Sequence, residues 1–258
     1  MTDTPLDQPK VALGVGALIG DSFSILLGNF LKVVIIAFVP VLLGFLLTGG
    51  LIGFDAALGV GEPTFDSPGS SAAFGLAFVV EMVIYSLTTA LLVQLAYDAK
   101  LNRPVQPGRY IGPALSALVP VAILSLVAGL LAGIGTLLFV IPGLWLYAVF
   151  SVMVPAVVIE RVGFGGLGRS ARLTKQYRWP IIGALLLALI LIIVINLVVG
   201  LVIGIVAAIG GTIIAVILYS ALSTIGVGYI SILIALIYAR LREIKEGISV
   251  DQIASVFD

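Results

Sequence analysis

Residues 180–208, PIIGALLLALILIIVINLVVGLVIGIVAA, decide the fold, because no charged side chain interrupts this long apolar run. As an α-helix the run would be about 44 Å long, more than the roughly 30 Å hydrocarbon core of a bilayer. It is therefore predicted to be a transmembrane helix. The segment directly before it, residues 161–178, is rich in Lys and Arg, which predicts on which side of the membrane this helix begins.

The rest of the chain has the same character. Hydrophobic residues make up 61% of the 258 positions, charged residues make up 10%, and the mean hydropathy is +1.27. A water-soluble domain cannot bury that much apolar surface, whereas a bilayer solvates it directly. We therefore predict an all-α, polytopic membrane protein that forms a single membrane domain over residues 1–258. Six spans are predicted as three hairpins, at about 30–54, 72–97, 118–140, 144–159, 180–208 and 211–238.

The 13 Lys and Arg residues lie in the N-terminal lead-in, just inside the first span (Lys32), in alternate gaps between the spans and near the C-terminus, which fixes the predicted orientation. The gaps near 55–71, 141–143 and 209–211 contain none of them. By the positive-inside rule, both termini are expected in the cytoplasm of a bacterial cell, with the protein in the inner (plasma) membrane. The cations are Lys10, Lys32, Lys100, Arg103, Arg109, Arg161, Arg169, Arg172, Lys175, Arg178, Arg240, Arg242 and Lys245.

Three further segments are predicted to be helices lying at the cytoplasmic interface. The first covers about 11–28, where polar residues interrupt a Gly- and Ala-rich run, and the second covers about 163–179. The third covers about 249–257, where Ser249 and Gln252 form a capping-box pattern. Pro142 and Gly143 are expected to form a tight turn between spans three and four.

The basic segment 163–179 is the strongest local signal. On a helical wheel Arg169, Arg172 and Lys175 share one third of the circumference, and Arg178 and Trp179 follow where interfacial residues belong. Each cation near an anionic leaflet contributes roughly 1 kcal/mol. These five residues are predicted to face lipid headgroups, either as a specific site or simply as an anchor that orients the protein. So few cations beside a membrane do not indicate nucleic-acid binding.

Glu81 is the one acidic residue well inside a predicted span. Intramembrane carboxylates are costly and indicate a function such as proton relay or ligand coordination, although a polar contact that holds helices together is the slightly favoured explanation here. Polar residues expected at a similar depth are Asn196 in span five and Tyr219, Ser220 and Ser223 in span six.

Catalysis is not expected. The chain has no His and no Cys, so the commonest general base, the commonest metal ligand and any thiolate nucleophile are missing. The carboxylates do not cluster as a metal site, so no metal or other cofactor is predicted.

The second half of the chain carries a family resemblance. Its residues are Ile141-Pro-Gly-Leu-Trp-Leu146, Val154-Pro-Ala-Val-Val-Ile-Glu160, Gly168-Arg-Ser-Ala-Arg-Leu-Thr-Lys175, Trp179 and Leu241-Arg-Glu-Ile-Lys-Glu-Gly247. This pattern resembles the membrane domain of bacterial glycerophosphoryl diester phosphodiesterases and neighbouring six-helix families of unknown function. The resemblance implies a membrane module without the catalytic barrel, since that barrel needs His and metal-binding carboxylates.

The function expected from the sequence is a non-catalytic membrane module. It would engage anionic membrane lipid or a partner protein through its basic cytoplasmic face. The alternative is a small transporter or channel with a polar path around Glu81. Substrate, partner identity and oligomeric state stay open.

Overall fold

The computed structural model describes residues 11–59, 61 and 65–247. These residues form helices and contain no β-strand, so the prediction of an all-α polytopic membrane protein is confirmed. The predicted helix at 249–257 lies outside the described residues. The helices are α1 (Val15–Gly28), α2 (Phe30–Ile52), α3 (Phe54–Ala57), α4 (Pro68–Lys100), α5 (Pro107–Leu138), α6 (Val140–Phe150), α7 (Met153–Glu160), α8 (Gly166–Thr174), α9 (Arg178–Gly210) and α10 (Thr212–Glu246).

Six stretches are long and apolar enough to cross a membrane: α2, α4, α5, α6 with α7, α9 and α10. The two central ones are α10 and α4, with 61% and 50% of their most apolar windows buried inside the protein. By contrast, only 17% of that window is buried in α9, whose apolar side chains therefore face outward. In a membrane protein such exposed apolar surface is the part that contacts lipid.

One end of the bundle collects its charged side chains, and we call it the charged end. It contains the last turns of α4, α7 and α10 together with α8 and the start of α9. Helix α1 packs on α10 and α9 and is tied to α4 here, because the Lys100 ammonium lies 2.9 Å from the Asp21 carboxylate. The Tyr177 hydroxyl also donates a 2.9 Å hydrogen bond to the carbonyl of Val11.

The fourth span is broken in two. Helix α6 ends at Phe150 and α7 begins at Met153, with Ser151 and Val152 between them. Pro155 explains the break, because proline has no amide hydrogen for the carbonyl four residues earlier and its ring collides with that carbonyl. The residue four positions before Pro155 is Ser151.

The expected Pro-Gly turn between spans three and four is wrong. The chain reverses at Phe139, which is extended (φ −158°), while Pro142 and Gly143 lie in the first turn of α6. Proline is well tolerated in a first helical turn, where its missing amide hydrogen has no partner to lose. Gly143 instead permits close packing, since a Cβ there would lie 2.7 Å from the backbone nitrogen of Thr136 on α5.

Two other boundaries differ from the sequence prediction. The basic segment predicted as one helix over 163–179 ends at Thr174, because Lys175 and Gln176 (φ +73°) leave the helical region and α9 already begins at Arg178. The sixth span continues to Glu246 instead of ending near 238. Its last two turns carry charged residues, so hydropathy predicts a loop there. In the structure Arg240 pairs with Glu243 and Arg242 pairs with Glu246 at the charged end.

Candidate functional site

A cluster of charged side chains joins α7, α8 and α10 at the charged end. Glu160 is the last residue of α7, and its two carboxylate oxygens lie 3.0 and 2.8 Å from Nε of Arg169 on α8. The Tyr238 hydroxyl donates a 2.6 Å hydrogen bond to the same carboxylate. Arg169 also pairs with Glu246, and Glu246 accepts a 2.8 Å hydrogen bond from Nε of Arg242.

This cluster is largely shielded from solvent. The side chains of Glu160, Arg169, Arg242 and Glu246 are between 14% and 23% exposed. Burial lowers the pKa of the Arg169 guanidinium, but its hydrogen bonds to Glu160 and Glu246 outweigh that effect, so its pKa is raised and the charge is kept. The sequence predicts that Arg169 faces lipid headgroups, whereas in the structure its guanidinium is largely shielded and pairs with Glu160 and Glu246.

Helix α8 also supplies hydrogen-bond donors to the backbone next to the break in the fourth span. The carbonyl of Val149 lies next to the break and accepts hydrogen bonds from Ser170 (2.7 Å) and Thr174 (3.2 Å), both buried on α8. These hydroxyls are four residues apart and therefore share one helix face. Gly166, one turn earlier on that face, lets α8 approach α7, because a Cβ there would lie 2.5 Å from the Val157 side chain.

The other cations of the basic segment differ in exposure, because Arg178 is half-buried and its Nε is buried without a hydrogen-bond partner among the described residues. Arg172 and Lys175 are exposed and make no ion pair within the part of the chain that the structure describes. Trp179 is 63% exposed, and its ring packs edge-on against Trp145 with 5.7 Å between centroids. The Arg178 guanidinium lies 4.9 Å from the centroid of the Trp145 ring. We call these four residues, Arg172, Lys175, Arg178 and Trp179, the basic surface.

Lys245 of α10 fixes the end of α8 beneath this surface. Its ammonium donates hydrogen bonds to the carbonyls of Arg172 (2.9 Å) and Lys175 (2.7 Å). The last carbonyls of a helix have no partner within the helix and carry partial negative charge, so an ammonium there is favourable. One cation of the charged end therefore serves to hold α8 in place.

A cavity of about 770 Å³ lies between the spans and is bordered by α2, α4, α5, α6, α9 and α10. Its volume falls in the range typical of small-molecule pockets. Glu81 lines this cavity, and its side chain is exposed. About 20 Å of helix separates Glu81 from the start of α4 at Pro68, and about 28 Å separates it from Lys100 at the other end.

Three of the four polar residues predicted near Glu81 line the same cavity: Asn196, Tyr219 and Ser223. The fourth, Ser220, is fully buried and donates its hydroxyl to the carbonyl of Val216 in its own helix. A hydroxyl bonded to its own helix backbone is satisfied without a partner in the cavity.

Sequence reasoning missed Tyr85 and Tyr147, whose side chains also line the cavity. Tyr85 could have been found, because it lies four residues after Glu81 and hence on the same face of α4. Tyr147 could not, since only the packing of α6 beside α4 brings it there. Within the described ranges no group of three or more Asp, Glu, His or Cys side chains could hold a metal ion.

Comparison of the chain with protein-family models, with curated proteins and with solved structures finds no match.

Proposed function

We propose that this integral membrane protein is a non-catalytic module that engages anionic lipid headgroups through the basic surface. The observation that supports this proposal is that the residues of the basic segment have two different surroundings. Arg169 is used inside the protein, whereas Arg172, Lys175 and Trp179 project outward beside Arg178. A cationic surface with an exposed tryptophan matches the chemistry of a membrane interface, where aromatic rings sit at headgroup level and cations meet phosphate.

The same proposal gives the protein an orientation. The charged end would face the cytoplasm of a bacterial cell, with the protein in the inner membrane, because Lys and Arg concentrate at cytoplasmic loops. The resemblance to the glycerophosphodiesterase membrane domain supports a module of this kind. Glu160, Arg169, Arg242 and Glu246 lie within the segments that carry this resemblance, and in this protein their side chains meet in one cluster beside α8.

Lipid retention in the purified protein tests the proposal. Native mass spectrometry in mild detergent with added phosphatidylglycerol or phosphatidylcholine would compare wild type with the triple variant Arg172→Gln, Lys175→Gln, Arg178→Gln. At roughly 1 kcal/mol per cation, the triple variant should bind phosphatidylglycerol about 100-fold more weakly. The matched control, Lys32→Gln, Arg109→Gln, Arg161→Gln, removes three other exposed cations and should retain the lipid.

Two results would contradict lipid engagement. Equal retention of phosphatidylglycerol by both triple variants would show that the basic surface has no special role. A co-purifying protein lost from the first triple variant, with lipid retention unchanged, would assign the surface to a partner protein. Turnover of lipid by the purified wild type would overturn the non-catalytic assignment.

The cavity favours transport as a second candidate function. Glu81 on α4, Asn196 on α9 and Tyr219 and Ser223 on α10 border one space, so they could form a polar path between the spans. In proteoliposomes with an internal pH dye, a path through Glu81 predicts proton flux driven by a potassium diffusion potential. That flux should be lost in Glu81→Gln and kept in Asp66→Asn, which removes an exposed carboxylate outside the cavity.

A further inference from the structure

The cavity between the spans is lined by a single acidic side chain, Glu81, among the residues that the structure describes. None of those lining residues is Lys or Arg, so Glu81 is the one formally charged side chain among them. The Glu81 carboxylate makes neither an ion pair nor a hydrogen bond within the residues that the structure describes. An unpaired carboxylate in a membrane-embedded space is costly, so a ligand that compensates its charge is strongly favoured over one that does not.

Aromatic rings surround the same space. Phe45, Phe78, Tyr85, Tyr147 and Tyr219 come from α2, α4, α6 and α10 and all border the cavity. The rings of Phe45 and Tyr219 are tilted against each other with 5.5 Å between centroids, and Tyr219 lines the same cavity as Glu81. Ring faces attract cations, and such aromatic groups are a common means of recognising quaternary ammonium groups.

We propose that this cavity is a binding site for a lipophilic organic cation. The onium or protonated amine group would lie against Glu81 and Tyr219 in the cavity that the amide of Asn196 also lines, and the apolar body would fill the space lined by aromatic and aliphatic side chains. Metal cations such as Mg²⁺ and Ca²⁺ fit poorly, because they require about six or more oxygen ligands. An anionic amphiphile is disfavoured by the Glu81 charge. This assignment names a substrate class for the second candidate function, but binding itself does not depend on transport.

Binding of tetraphenylphosphonium to the purified protein, measured by equilibrium dialysis in detergent, tests the proposal. Tetraphenylborate has nearly the same shape and the opposite charge, so it controls for hydrophobic partitioning. Wild type should bind the phosphonium at least about tenfold more tightly than the borate. Glu81→Gln should lose at least tenfold in phosphonium affinity, and Asp66→Asn should match wild type.

A pair of tyrosine variants keeps the test decisive if Glu81→Gln does not fold. Tyr219→Phe retains the ring and Tyr219→Leu removes it, so Tyr219→Leu should bind the phosphonium several-fold more weakly than Tyr219→Phe does. Equal binding of phosphonium and borate would overturn the proposal. So would unchanged affinity in a folded Glu81→Gln, or equal affinities in the two Tyr219 variants.

Failure of this inference is distinguishable from failure of transport. Phosphonium binding that depends on Glu81, without phosphonium or proton flux in proteoliposomes, supports a cation-binding site and contradicts the transport function. Proton flux that depends on Glu81, without phosphonium binding, contradicts the organic-cation assignment but supports the proton path through Glu81.

Discussion

The Ser170 hydroxyl donates a 2.7 Å hydrogen bond to the carbonyl of Val149, which joins the short helix α8 to the break in the fourth span. This bond explains how a discontinuous helix is tolerated in an apolar environment. Irregular backbone at membrane depth is stable where other protein groups satisfy the freed carbonyls. Thr174 contributes a second hydroxyl to the same oxygen, at 3.2 Å.

Removing both hydroxyls should destabilise the protein. The double variant Ser170→Ala, Thr174→Val leaves the buried Val149 carbonyl without these donors, and an unsatisfied buried polar group costs about 1–3 kcal/mol. A lower midpoint of thermal unfolding in detergent is expected. Ser116→Ala is the control, because Ser116 is exposed and its hydroxyl donates to the carbonyl of Pro113 in its own helix. An unchanged midpoint in the double variant would contradict the role assigned to α8.

Glu160 should be more important for stability than an exposed carboxylate. Glu160→Gln weakens the pairing with Arg169 and leaves that guanidinium poorly compensated in a shielded place, for which we expect a loss of about 1–3 kcal/mol. The matched control is Asp21→Asn, which breaks the exposed pair with Lys100 and should cost at most about 1 kcal/mol. Denaturation in detergent at several salt concentrations measures both. Equal losses in the two variants would show that the cluster is no stronger than a surface pair.

Gly143 should not tolerate a larger residue. A Cβ on Gly143 would collide with Thr136 of α5, so Gly143→Ala forces the α5–α6 hairpin apart, and overpacking of this kind costs about 1–3 kcal/mol. Gly129→Ala on the same hairpin meets nothing within 4 Å and should be neutral or slightly stabilising. Thermal unfolding of the two variants under identical conditions checks the difference. A midpoint for Gly143→Ala equal to that for Gly129→Ala would contradict the close approach of α5 and α6.

Lys245 should protect the end of α8 from proteolysis. Lys245→Met removes the ammonium that donates to the carbonyls of Arg172 and Lys175, so this segment should open more often. Trypsin cleaves after exposed Lys and Arg, and cleavage at Arg172 and Lys175 should therefore become several-fold faster. Lys32→Met removes an exposed cation elsewhere and should leave those rates unchanged. Identical rates in the two variants would contradict the capping role of Lys245.

Much of the fold could be predicted because hydropathy is a local property summed along the chain. The uncharged run 180–208 lies inside α9, and all six predicted spans have a counterpart in the structure. Predictions failed where packing overrides a local signal. Pro142 and Gly143 resemble a turn in isolation, yet they open α6 because Gly143 fits against Thr136. The last two turns of α10 stay helical because Glu246 pairs with Arg169 on α8 and Arg242 pairs with Glu160 on α7.

For the candidate sites, too, local sequence patterns predicted some features, whereas packing between helices decided others. Arg172 and Lys175 lie at a helical spacing in the sequence, and both are exposed, as is Trp179, even though α8 ends at Thr174. Arg169 shares that spacing but lies inside the protein, and its partners Glu160 and Glu246 come from other helices. Helical spacing describes one helix at a time, so it cannot distinguish a cation that faces lipid from one that meets a carboxylate.

The sequence by itself determined that this protein is a six-span helical membrane protein with its cations gathered in alternate connections, because both properties depend on residue composition over short stretches. Only the tertiary structure decided which cations are used internally, what satisfies the Val149 carbonyl, and that Glu81 shares a cavity with Asn196 and Tyr219. Those relationships join residues far apart in the chain, as with Tyr238 and Glu160, which are 78 positions apart. They exist only once helix packing has fixed which faces meet.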